Sequence, residues 1–178
     1  VTVDAFQRVP LVEEFTSQFC TNCPFMIYYL DKAMEEFPTE IVYVTHHSGF
    51  APDLFTKPTD EGLLYLFGEE KHANPAVMYD RRVFNGEISP IQFASVAETT
   101  PYTDALNYVA PMLAMAEVNI DYTINEEAAT IQPTITGRVN SELVAAGVEA
   151  YISVYLVEDS IPVTETYFQL GLDASVEE

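Results

Sequence analysis

FTSQFCTNCPFMIYYL, residues 15–30, holds both cysteines of a 178-residue chain. Three readings of Cys20 and Cys23 compete. As half of a structural zinc site they need two more ligands, usually a second pair. The chain has three histidines, and His46 and His47 are adjacent, so in a strand they point to opposite faces. As a redox pair they need a thiol that ionises easily. A C-x-x-C that follows an apolar strand and opens a helix supplies this, because helix N-terminal N–H groups and the macrodipole favour an anion. Cys20 would then attack, and Cys23, one turn on, would resolve the mixed disulfide. As a local staple they close a very short loop and remove little entropy from the unfolded chain. Pro24 bears on the placement: proline is tolerated in the first helical turn, where its missing N–H has no intrahelical partner. Cys20 is expected at the helix N-terminus as the more exposed thiol, with Cys23 more buried.

Working outward, VPLVEEFTS reads as a strand and CPFMIYYLDKAMEEFP as a helix. Met26, Leu30, Ala33, Met34 and Phe37 recur at helical spacing, and Pro38 ends the run. EIVYVTHH is a second strand. GFAPDLFTKPTDEG is a long loop, and EGLLYLFG a short helix stopped at Gly68. PAVMYDRRVFNGEI reads as a hairpin, with Asn85 and Gly86 at its turn or far end. SPIQFASVAE is expected to start a helix, with Ser89 as N-cap and Pro90 at the first helical position. A second helical stretch covers about 103–116. The element order β-α-β-α-β-β-α points to an α/β layer fold.

Beyond residue 115 the pattern changes. AEVNIDYTI, ATIQPTITGRV and EAYISVYLVED alternate as antiparallel strands do, and TETYFQL is strand-like. The expected division is therefore an α/β domain over 1–115 and a β-domain over 116–178. About four strands make one amphipathic sheet, whose apolar face needs the first domain, a second chain (a homo-oligomer) or further strands past Glu178 as cover. The chain starts at Val1 rather than Met, which fits a signal peptide removed or a boundary set otherwise.

The composition is 48% hydrophobic, with eleven Tyr and eleven Phe, enough to bury a core. The formal charge is -21 from 7 basic and 28 acidic residues. Such a field repels phosphate backbones, so nucleic acid is excluded as a partner, and anionic membrane surfaces are disfavoured. No apolar run is long enough to span a bilayer as a helix. Two arginines at 81 and 82, after Asp80, are either a solvated strand face or a site for an anion or an internal carboxylate.

LVEEFTSQFCTNCP followed by a helix resembles the thioredoxin-like superfamily over roughly residues 8–115. Phe15 and Phe19 match its aromatic positions. The resemblance implies that Glu14 is the buried acid that moves protons for the second cysteine, although Glu13 could be the inward one. It also implies that ANPAVMYD is the cis-proline loop opening the third core strand. Pro75, preceded by Asn74, would then face the cysteines. EEFTSQFCTNCP is similar to the E-E-F-T-G-x-x-C-x-N-C-P run of the Omp twenty-eight family, outer-membrane-associated proteins that join such a domain to a C-terminal β-domain. Ser17 stands where that family has Gly.

These residues lead to thiol–disulfide exchange in the periplasm or at the outer-membrane surface, acting on protein thiols or disulfides with an unidentified redox partner. The catalytic candidates are Cys20, Cys23, Glu14 and Pro75. Thr21, Asn22 and Asn74 are the substrate-binding candidates. No metal and no cofactor is called for. The rival is a non-enzymatic binding or structural protein of the envelope in which the disulfide is a relic or a staple. His46 and His47 are expected to pack rather than ligate.

Overall fold

The computed structural model describes residues 6–49, 52–67, 73–84, 86–162, 164 and 169–170. Gly68 as a helix stop, Asn85 as a turn residue, most of TETYFQL and both chain ends therefore lie outside the described residues. The chain divides into two compact units, Val9–Ala110 with Leu156–Glu178, and Val1–Arg8 with Pro111–Tyr155.

The first unit is built on a four-stranded sheet in the order β2-β1-β3-β4. β1 (Leu11–Thr16) pairs in parallel with β2 (Val42–His47) and antiparallel with β3 (Ala76–Tyr79). β4 (Gln92–Phe93) extends the edge antiparallel to β3. A parallel pair needs a crossover, and α1 (Cys23–Glu35) supplies it between β1 and β2. Met26, Leu30 and Ala33 form its buried stripe, four and three residues apart. The helix stops before Pro38, at Glu36.

α3 (Thr100–Val109) has Pro101 in its first turn and buries Tyr102, Ala105, Leu106 and Val109 at the same spacing. These residues join Met26, Leu30, Ala33, Val12, Val77 and Tyr79 in one core. Burying each leucine there contributes about 2 kcal/mol. Phe15, Ala76, Met78 and Ile91 pack with Leu63 of α2 (Pro58–Leu66) in a second cluster. Alternation along β1 explains the split: Val12 and Glu14 share one face, Glu13 and Phe15 the other.

Glu13 and Glu14 are 1% and 0% exposed, so both expected inward acids are inward, on opposite faces. Glu13 meets Arg81 in a two-pronged ion pair, Nε to Oε2 at 2.9 Å and Nη2 to Oε1 at 2.8 Å. His46 Nε2 lies 3.3 Å from Oε1, and its Nδ1 lies 2.9 Å from Asp60 of α2. Burial raises the Glu13 pKa, but the bonds and charges of His46 and Arg81 outweigh it and the carboxyl is held below its usual range. Burial lowers the His46 pKa, yet Asp60 and Glu13 carry it above its usual value. Arg81 thus takes an internal carboxylate. Asp80 and Arg81 both have left-handed backbone, φ 49 and 53. The turn is pinned by Asp80, whose N–H donates to Leu11 O and whose Oδ1 accepts from Leu11 N.

Two sequence expectations are corrected in this fold. Ser89 and Pro90 do not open a helix. Ser89 Oγ accepts from Ile91 N in a local turn, and Gln92 and Phe93 pair with β3 instead. The strand ladder and the burial of Ile91 win over the local helix signal, and α3 begins ten residues later. EAYISVYLVED alternates as a strand but belongs to no strand among the described residues, and its side chains lie exposed. Alternation describes a surface, and a ladder still needs a neighbouring strand to accept it.

In the second unit β5 (Ala116–Asn125) and β6 (Thr130–Val139) form a ten-residue antiparallel ribbon. Its turn has Asn125 Oδ1 accepting from Ala128 N. Gly137 is required: a Cβ there would sit 2.3 Å from Glu117 O. Asn140 caps α4 (Ser141–Ala145), accepting from Glu142 N and Leu143 N. Two paired strands stand where about four were expected among the described residues. Ile120 is 56% and Tyr155 46% exposed, while Ile135 is half-buried.

The two Arg–Glu pairs separate buried from exposed electrostatics. Arg81→Ala should cost about 3 kcal/mol in urea unfolding, because it strips the bidentate partner from a buried carboxylate. Arg138→Ala, which breaks an exposed pair with Glu117, should cost less than about 1 kcal/mol. Equal costs would contradict the burial of Glu13.

Candidate functional site

β1 ends at Thr16 and the chain turns through residues 17–22 into α1. Cys20 N donates to Ser17 O at 2.9 Å and Cys23 N to Cys20 O at 3.3 Å, so the turn is closed by its own backbone. The first bond of the helix runs from Met26 N to Asn22 O. Asn22 is the N-cap residue and Pro24 falls in the first turn. The helix therefore begins at Cys23, three residues later than a start at Cys20.

Cys20 and Cys23 are joined in a disulfide, with Cα atoms 5.4 Å apart. Contrary to expectation, Cys20 is nearly as buried as Cys23, at 3% against 0% exposed. Phe19, Thr21 and Asn22 around it are exposed. The turn is anchored from one side by Asp53. Its carboxylate accepts from Gln18 N at 2.7 Å, from Phe55 N and Thr56 N, and pairs with His47 Nδ1 at 2.8 Å. His46 and His47 thus serve a buried network and a loop, respectively. Among the described residues no group of three or more His, Cys, Asp or Glu is placed to hold a metal ion.

Glu14 lies on the sheet face that carries Val12 and packs against α1 and α3. Its Oε2 accepts from the hydroxyls of Tyr43 and of Thr45, the latter at 3.2 Å. Both donors come from β2, at alternate positions on the same face. Oε1 is buried without a hydrogen-bond partner. Burial pushes the Glu14 pKa up to about 7, against the hydroxyls of Tyr43, Thr45 and Thr16 that lower it, with Asp31 of α1 adding to the rise. Burial and the neighbouring carboxylate hold Tyr43 well above the usual phenol range, so its hydroxyl stays a donor. A carboxyl that titrates near neutrality, with one oxygen open, can take up or release a proton beneath α1.

The Asn74–Pro75 peptide bond is cis. Ala76, which follows it, stands opposite Phe15 in the ladder, so the chain entering β3 runs beside the chain leaving β1 for the cysteines. Asn74 Nδ2 donates to Ser48 O at 3.0 Å, and Ser48 N donates to Thr16 O at 3.1 Å. The start of β3, the end of β2 and the end of β1 are thereby tied together. Cys20, Cys23, Thr21 and Asn22 share one turn, Pro75 and Asn74 enter the neighbouring strand, and Glu14 sits two residues inside the end of β1. Sequence reasoning missed Tyr43, Thr45, Ser48 and Asp53. For the first two a signal existed: if β1 and β2 are parallel, the hydroxyls of VYVTHH alternate onto one face.

The solved structure of HBP35 of Porphyromonas gingivalis is similar to this chain. The TM-score is 0.54 at 22% identity, covering 78% of this chain and 45% of that one. This chain therefore spans a little under half the length of that relative. A structural-genomics protein from Agrobacterium tumefaciens superposes with a TM-score of 0.42 at 14% identity, over 78% of this chain and 82% of that one. No family model matches the sequence, and no curated protein does. The likeness to HBP35 bears on the fold alone: mixed α/β content with two sheets, compatible with a thioredoxin-like domain plus a β-sheet.

The raised Glu14 pKa has a consequence of definite sign. Below about pH 4.5, the ordinary value, Glu14 is protonated folded and unfolded, and its burial carries no charge penalty. As pH rises from there to about 7 the unfolded chain releases its proton first, so folding loses stability across that window. The unfolding free energy of Glu14→Gln, minus that of the parent, should increase by about 3 kcal/mol between roughly pH 4 and pH 8. A difference that stays flat with pH contradicts a buried acid at this position.

Proposed function

We propose that the protein carries out thiol–disulfide exchange through Cys20 and Cys23. The observation that carries this reading is their disulfide at the start of α1, on a thioredoxin-like fold, with the titratable Glu14 on the sheet face beneath that helix. In the oxidised form, a substrate thiolate attacks Cys20 Sγ. The Cys20–Cys23 bond breaks, a mixed disulfide forms, and Cys23 leaves as a thiolate that takes a proton, for which Glu14 is the candidate donor. A second substrate thiolate then displaces Cys20, leaving the substrate oxidised and the pair as two thiols. Run backwards, the same steps reduce a protein disulfide, with a dithiol restoring the cysteines. Pro75 shapes the groove beside the pair, and Thr21, Asn22 and Asn74 line it. The electrons pass through sulfur alone.

The run EEFTSQFCTNCP supports a finer placement in the Omp twenty-eight branch. With it come an extracytoplasmic site, in the periplasm or at the outer-membrane surface, and protein thiols or disulfides as partners. A disulfide persists in such a compartment. The formal charge of -21 argues against nucleic acid as a partner. One observation favours the rival, non-enzymatic reading: Cys20, the expected nucleophile, is only 3% exposed.

Insulin reduction with a dithiol as electron source separates the two. The parent should turn over insulin, and Cys20→Ser should fall to the rate of the dithiol alone. A parent no faster than the dithiol leaves the disulfide as a staple. Glu14→Gln should slow exchange about a hundredfold while leaving the fold intact, and should erase the limb of the pH–rate profile near pH 7. An unchanged profile removes Glu14 from the proton path.

A further inference from the structure

Ser17 O, Gln18 O and Cys20 O lie outside the sheet ladder, in the turn that carries the nucleophilic cysteine. All three accept hydrogen bonds from one short segment far along the chain. Gln169 Nε2 donates to Ser17 O at 3.1 Å and to Cys20 O at 2.8 Å. Leu170 N donates to Gln18 O at 2.8 Å. A side-chain amide and the next backbone N–H thus span the turn. One side-chain amide and one main-chain N–H cover carbonyls of the kind that a docking polypeptide engages.

The position of the segment matters because Cys20 is buried while its neighbours Phe19, Thr21 and Asn22 are not. The Asp53 loop holds the opposite side of the same turn, at Gln18 N. Gln169 and Leu170 cover the carbonyl row by direct bonds, so their departure opens it. Three neutral hydrogen bonds are together worth about a hundredfold. The entropy of ordering two residues offsets part of this. A closure of that size is mostly shut and readily released.

We infer that the carbonyl row at Ser17, Gln18 and Cys20 is a polypeptide-docking edge occupied by the chain's own Gln169 and Leu170, which leave when a partner polypeptide takes their place. The ligand class is an extended peptide that offers a side-chain amide or other donor followed by a backbone N–H. The identity of that partner as a redox substrate rests on the exchange reading above. The occupancy of the edge does not.

The full chain carries the test. Gln169→Ala removes the bonds to Ser17 O and Cys20 O, and Leu170→Pro removes the N–H donor to Gln18 O. Gln132→Ala, at an exposed position of β6, is the control. Two rates are read: loss of the disulfide to a small phosphine, and iodoacetamide labelling of Cys20 in the reduced protein, located by mass spectrometry. Each edge variant should raise both rates about fivefold or more, with the control at the parent value. A synthetic peptide of residues 164–172 added in excess should slow labelling of the edge variants back towards the parent. Parent-like rates in both edge variants overturn the proposal. Faster labelling without insulin turnover keeps the docking edge and removes exchange as its purpose. Insulin turnover with parent-like labelling does the reverse.

Discussion

Strand β1 places two consecutive carboxylates inside the protein, one on each side of the sheet, and each must be reconciled with burial. A charge in the interior is tolerated when paired, and a carboxyl left without a cation gives up its charge instead. The chain uses both solutions on adjacent residues. Glu13 keeps its charge because Arg81 and His46 reach it beneath α2. Glu14 meets only hydroxyls and is pushed towards neutrality on the side of α1. The left-handed turn at Asp80 and Arg81, the placement of His46 on β2 and the Asp60 bond from α2 all follow from satisfying the first carboxylate. The second is left as a titratable group under the helix that begins with the disulfide.

This division of labour could not be read from the pair Glu13 and Glu14 alone. Strand alternation dictates that one points each way, but which face holds the cation depends on register. Arg81 is 68 residues away and reaches Glu13 only because β3 runs antiparallel to β1. What local pattern could reach was read correctly: the strand before the cysteines, the Met26, Leu30 and Ala33 stripe, Pro24 in the first turn, and the two arms of the ribbon. The failures share a cause. Ser89 and Pro90 carry a helix-start signal that a two-residue ladder on β3 overrides. EAYISVYLVED has the alternation of a strand but forms none among the described residues. In both cases the local pattern did not decide the outcome.

The candidate site shows the same limit. The C-x-x-C pair announces itself by spacing and type, and Glu14 comes into view only through the resemblance to thioredoxin-like proteins. Gln169 does not, since nothing in a lone glutamine near a chain end points to a turn 149 residues earlier. The burial of Cys20 is likewise invisible in the sequence, where an exposed turn rich in Thr and Asn suggests an open thiol. The solved relative adds the fold and leaves the chemistry to these side chains.

Asp53 makes its loop and the cysteine turn a single mechanical object. One carboxylate accepts from the amides of Gln18, Phe55 and Thr56, which lie outside helix and strand and would otherwise exchange with solvent quickly. Breaking any one bond leaves the others in place, so none of these amides is exposed by a small fluctuation. All of these bonds and the His47 contact converge on one carboxylate, so acid strong enough to protonate Asp53 loosens the loop and the turn at the same moment.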